Sequence, residues 1–201
     1  MHNYYTYLAL GDSYTIGEQV LLTESFPYQL VQLFRKQGFF FTAPEIIAKT
    51  GWTTDELLVE IEAYSLLPHY DLVSLLIGVN NQYRQRPVEI YIKEFEVLIK
   101  KAIQFAGNRP GHVTVLSIPD WGVTPFAEGR DRDQISRDID SYNNINLAIA
   151  NLHRVKYIEI TRGTREAAHR PELLASDQLH PSSVEYQRWA VKIAKEIQPV
   201  R

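Results

Sequence analysis

The segment Asp71-Leu72-Val73-Ser74-Leu75-Leu76-Ile77, closed by Gly78, is apolar on both of its alternating sets of positions and so offers water no polar face. A run of this kind fits a central strand of a parallel sheet, covered by helices on each side. The rest of the chain alternates to match. Residues 4–10 are aromatic and aliphatic and stop at Gly11-Asp12-Ser13, which predicts a first strand ending in a turn. Phe26, Leu30, Leu33 and Phe34 recur at helical spacing within residues 25–37, with Pro27 early and Gly38 at the end. Residues 45–49 predict a second strand, and Thr53 or Thr54 can cap a helix through Leu57, Leu58 and Ile61. Further on, a helix is expected from Pro87 to about 106, a strand at 113–118, a helix at 133–152, a strand at 155–160 and a last helix at 183–197.

Five strands alternating with helices specify right-handed crossovers and an open parallel sheet with helices on both faces. The expected fold is therefore a single α/β domain of three layers, α/β/α, with a five-stranded parallel sheet of flavodoxin-like type over residues 1–201. The length supports one such domain, and the composition, 45% hydrophobic and 22% charged, is that of a globular chain. With 24 acidic against 21 basic residues and no Lys/Arg block, nucleic acid is not an expected partner. No stretch approaches the roughly 18 apolar residues of a membrane-spanning helix. The start, Met1-His2-Asn3-Tyr4-Tyr5, lacks the basic and apolar regions of an export signal, so the cytoplasm is the expected compartment.

In open parallel sheets ligands bind beyond the carboxyl ends of the strands, which directs attention to the residues just after each strand. After the first strand, the turn at Gly11-Asp12-Ser13 can lift the Ser13 hydroxyl above the strand end; a helix cap or turn serine would look the same. In Ser176-Asp177-Gln178-Leu179-His180-Pro181, one turn sets an aspartate three residues before a histidine, so the carboxylate can orient the imidazole while the other ring nitrogen addresses a nucleophile. A local turn contact is the plainer alternative. Lys49-Thr50-Gly51-Trp52 and Gly78-Val79-Asn80-Asn81 come after the second and third strands, where the Gly51 N–H and the Asn80 amide can serve as donors to a developing oxyanion. Each could equally be an ordinary loop residue. Together they form a set that chance places poorly.

These blocks, in this order and covering nearly the whole length, resemble the GDSL esterase/lipase family, also called SGNH hydrolases. The resemblance implies that Ser13 is the nucleophile, that His180 is its base with Asp177 as orienter, and that Gly51, Asn80 and the Ser13 N–H form the oxyanion hole. It also implies that no metal or other cofactor is needed and that the partner is a small-molecule acyl ester. Consistently, His2, His69, His112, His153, His169 and His180 show no His-x-x-x-His spacing that would suggest a zinc site. Many relatives carry Asp after the block asparagine, whereas Asn81 stands here, so any role needing a charge at that place is in question. Tyr14, Trp52, Tyr83 and Trp121, with Arg84 and Phe126, are candidates for lining the substrate pocket, or else packing residues beneath loops. The expected activity is ester hydrolysis through an acyl-enzyme. Thioesters and acetylated sugars lie within the implied range, and the alternatives are acyl transfer from the same intermediate or a non-catalytic ligand-binding module.

Overall fold

The computed structural model describes residues 4–197. Five parallel strands form one sheet, β1 (Tyr7–Asp12), β2 (Glu45–Lys49), β3 (Leu72–Leu76), β4 (Val113–Leu116) and β5 (Lys156–Ile158), in the order β2-β1-β3-β4-β5. The helices are α1 (Ser13–Ile16), α2 (Phe26–Lys36), α3 (Thr54–Ala63), α4 (Val79–Tyr83), α5 (Val88–Phe105), α6 (Arg132–Leu152), α7 (Thr161–Thr164) and α8 (Ser183–Glu196), with short 3₁₀ turns between some of them. Helix α2 packs on α8 across one face of the sheet, while α3, α5 and α6 pack in succession on the other, giving the expected three layers. None of the helices among the described residues is long and apolar enough to cross a membrane.

The long elements follow the hydrophobic pattern, and the differences lie at the strand ends. Tyr4 is exposed and Tyr5 forms an isolated bridge to Phe41 outside the strand, so β1 begins later than expected, at Tyr7. It also runs on through Gly11 and Asp12 in place of stopping at Leu10. Gly11 makes that possible: a Cβ there would lie 2.4 Å from the Leu76 carbonyl oxygen and 2.1 Å from Thr15 Oγ1, so only glycine lets β1 and α1 close up against β3. Ser13 is consequently the first residue of a helix and not a loop residue. The cap is Asp12, whose side chain accepts from the Tyr14 N–H at 3.0 Å. Strands β4 and β5 are each two residues shorter at their carboxyl ends than the apolar runs suggest, and Thr161 opens α7 shortly after β5.

β1 pairs with β2 on one side and β3 on the other. The chain therefore leaves β1 in one direction along the sheet and returns to continue in the other, which opens a crevice at the carboxyl ends of β1 and β3. Ser13 and Asn80 follow these two strands, and Gly51 follows β2, the neighbour of β1 on its other side.

Candidate active site

Ser13 stands at the mouth of the crevice on α1, 4% exposed, its hydroxyl 2.9 Å from His180 Nε2. The histidine reaches it from a loop 167 residues later, and local bonds fix that loop. Asp177 Oδ1 accepts from the backbone N–H groups of Leu179 and His180, each at 3.0 Å, closing a tight turn through Gln178, which adopts a left-handed φ of 58°. Those bonds offset the cost of that backbone conformation. The Ala175 N–H donates to the His180 carbonyl at 2.8 Å, and Leu174 and Pro181 form a bridge across the loop. In this frame Asp177 Oδ2 lies 2.6 Å from His180 Nδ1. An ionised carboxylate only accepts, so Nδ1 carries the hydrogen, and Nε2 is left to accept from the Ser13 hydroxyl. The Tyr14 ring lies against the imidazole, tilted by 53° with centroids 5.0 Å apart.

The Asp177 carboxyl sits below its ordinary range: burial raises it, but the hydrogen bonds from the His180 ring, the His180 N–H and the Leu179 N–H outweigh that. It is thus ionised at neutral pH. Asp12, on the other side of Ser13, behaves in the reverse manner. It is 1% exposed, and burial pushes its carboxyl up to about 7 against the opposing bonds from the Tyr14 N–H and the Asn80 amide.

Asn80 is carried on α4, whose preceding residue, Gly78, has a φ of 128°; a Cβ there would meet the Tyr91 hydroxyl at 2.5 Å. The Asn80 amide donates to the Trp52 carbonyl at 3.0 Å and approaches Asp12 Oδ2 at 3.4 Å. Asn81, adjacent to it, turns away from the cleft and is fully buried. Its side chain accepts from the Thr54 N–H at 3.1 Å and donates to Thr54 Oγ1 at 2.7 Å, so it ties α4 to the start of α3 without needing a charge. Arg84 braces the same junction by donating to the Gly51 carbonyl at 2.5 Å and pairing with Glu56 at 3.3 Å.

The open cleft above these groups holds about 540 Å³ of empty space, and Ser13, Gly51, Asn80 and His180 all border it. Tyr14, Tyr83 and Trp121 line it as the sequence suggested, together with Phe126. Trp52 does not. Its indole is buried in the hydrophobic core, because the chain turns at Gly51 (φ 85°), and its contribution to the site is the carbonyl that receives the Asn80 amide. Trp121 is held by its Nε1–H bond to Gln82 at 2.8 Å, and the turn that carries it is anchored by Asp120, which accepts from Gly122 N–H and pairs with Arg165 at 2.8 Å. Two residues to which the sequence pattern assigns no role join the site. Asp12 is one, signalled only by an acidic residue closing an apolar strand. Arg130 is the other, with its guanidinium carbon 5.0 Å from the Tyr83 centroid, 5.2 Å from Trp121 and 5.8 Å from Phe126.

The sequence model of the GDSL-like lipase/acylhydrolase family matches residues 9–188. No curated protein sequence matches the chain. Among solved structures, the chain is similar to the acetylxylan esterase Axe2 from Geobacillus stearothermophilus (TM-score 0.74, 20% identity, covering 98% of this chain and 96% of that one). It is also similar to a lipase/acylhydrolase from Enterococcus faecalis (0.72, 20%, 98% and 99%) and to a member of the lipolytic G-D-S-L family from Veillonella parvula DSM 2008 (0.71, 19%, 96% and 97%). At these identities the likeness establishes the fold.

Proposed function

Since the chain belongs to the GDSL-like lipase/acylhydrolase family, we propose that it hydrolyses carboxylic esters of small molecules through an acyl-enzyme on Ser13. The observation that carries this reading is the hydrogen-bonded series Ser13–His180–Asp177, at 2.9 and 2.6 Å. His180 Nε2 takes the hydroxyl proton as Ser13 Oγ attacks the ester carbonyl carbon, and the imidazolium so formed is stabilised by ionised Asp177. The carbonyl electrons move onto the oxygen. In this reading the N–H groups of Ser13 and Gly51 and the Asn80 amide receive that oxyanion, and preorganised donors of this kind stabilise the developing charge. On collapse, the alcohol leaves with the proton from Nε2. Water, deprotonated by the same nitrogen, then attacks the acyl-enzyme and releases the acid and free Ser13.

Axe2 is an acetylxylan esterase and the Enterococcus protein a lipase/acylhydrolase, so what they share with this proposal is the carboxylic ester itself. The test is covalent capture with a fluorophosphonate probe, combined with turnover of p-nitrophenyl acetate. A single adduct on Ser13 together with ester turnover is expected. Folded protein that takes up no probe and turns over no ester would point to a ligand-binding module and overturn the reading.

A further inference from the structure

Asp12 has one oxygen committed to the helix cap, accepting from the Tyr14 N–H at 3.0 Å. Its other oxygen, Oδ2, lies 3.4 Å from Asn80 Nδ2, while the shorter bond from that nitrogen, 3.0 Å, goes to the Trp52 carbonyl. A side-chain amide nitrogen has two hydrogens. One is therefore fixed on Trp52, and the other is held loosely between Asp12 and the cleft that Asn80 borders. That second hydrogen is the one an oxyanion on a Ser13-bound carbonyl can receive.

Among the described residues, no cation is one of the groups that act on the Asp12 carboxyl. Lys49, its register partner on β2, is exposed. The Asp12 charge acts on Tyr14 on α1, Tyr91 on α5 and Tyr186 on α8, and Ser13, the next residue, is bonded to His180, which Asp177 holds. A negative charge at Asp12 would thus be uncompensated. It would also bind the Asn80 hydrogen more tightly, because hydrogen bonds to an ionised acceptor are stronger than neutral ones, and it would repel the developing oxyanion.

Resting on the hydrolase reading above, we propose that Asp12 is a positioning residue acting through Asn80: protonated, it aims the free amide hydrogen and releases it to the oxyanion, and when its proton passes to solvent it retains that hydrogen and slows the reaction. A protonated carboxyl oxygen keeps a lone pair, so it can still accept while aiming the amide. Since burial has pushed this carboxyl up to about 7, the change falls within the working range of an enzyme.

The test is a double-mutant cycle read at several pH values. In the wild type, kcat should decline above about 7 as Asp12 ionises. Asp12→Asn cannot ionise, so the alkaline decline should disappear. Its kcat at the optimum should fall about tenfold, the scale of one misdirected hydrogen bond, with KM nearly constant. In an Asn80→Ala background the same substitution should cost nothing more, since the group it acts through is gone. An alkaline decline that persists in Asp12→Asn, or losses that multiply in the double variant, would overturn the proposal. If Asp12→Asn does not fold, Asp12→Ser, which keeps a cap acceptor, takes its place. A chain that folds with neither would make Asp12 a structural residue, which also overturns the proposal. Absence of both turnover and probe labelling in the wild type marks instead the failure of the hydrolase reading, and this inference falls with it.

Discussion

Asp12 closes a buried strand and accepts one backbone N–H at 3.0 Å, whereas Asp177, on a surface loop with its side chain 26% exposed, accepts two backbone N–H groups and an imidazole N–H. The two carboxyls sit on opposite sides of one serine. Burial without a cation raises the first to about 7, and hydrogen bonding lowers the second despite partial burial. A site that needs one ionised and one protonated acid can use two residues of the same kind, provided the surroundings separate their titrations. What differs between the two is the number of donors supplied and the water left to solvate the charge.

The largest expected effect tests whether the serine between them is the reacting atom at all. Ser13→Ala should abolish measurable ester turnover and probe labelling with an unchanged thermal midpoint, because the hydroxyl packs little. Near-native kcat in the purified variant would remove the basis for comparing its neighbours. Next comes the loop side. Asp177→Asn should lower kcat by about 10⁴, the scale seen when a triad carboxylate becomes an amide and imidazole is left in the wrong tautomer. A loss below tenfold would mean that the loop carboxylate only closes the turn through Leu179 and His180, and that the contrast with Asp12 has no catalytic meaning.

On the strand side the expected effects are smaller. Asn80→Ala should lower kcat by roughly 10² to 10³, the cost of one oxyanion donor, with little change in KM because the charge it meets exists fully only in the transition state. Asn80→Asp should be at least as damaging: it places an acceptor beside both the oxyanion and Asp12 Oδ2. Native kcat combined with lowered stability in both variants would make Asn80 a structural link between α4 and the Trp52 carbonyl.

The two sides of Ser13 also differ in how much the sequence discloses. Asp177 and His180 lie within one turn, so their geometry is nearly local and residue spacing suffices to suggest it. The central strand β3 and the long helices α2, α5, α6 and α8 are likewise legible, since each carries many apolar positions in register with its period. Asp12 is not legible in that way. Its protonation depends on the burial created by the strands on either side of β1 and on an amide 68 residues away, neither of which can be read from the neighbouring residues. The four- and five-residue helices α1, α4 and α7 are too short to stand alone, so they exist only where the sheet edge packs against them. Trp52 shows the same limit: an indole beside a glycine in a site loop suggests a pocket wall, and only the direction of the turn at Gly51 sends it into the core.

The rim of the cleft allows a last and finer comparison, between groups that meet the reacting atoms and a group that only holds a wall. Arg130 lies over Tyr83, Trp121 and Phe126 and donates to the Tyr83 hydroxyl at 3.1 Å, so it clasps the 119–131 loop to α4. At an exposed site a cation over an aromatic face contributes about 0.5–1 kcal/mol. Arg130→Ala should therefore loosen the wall and raise KM by about two- to fivefold, a factor of that size corresponding to such an energy, while kcat stays within about twofold. Arg130→Lys should fall between, because it retains the charge but not the planar group that lies against three rings. Asp12 and Asp177 predict the opposite split, a change in kcat at nearly constant KM. Should Arg130→Ala instead lower kcat more than tenfold with KM unchanged, the guanidinium must act in the transition state, and the division between a reacting floor built on strand ends and a binding rim built on a loop would have to be redrawn.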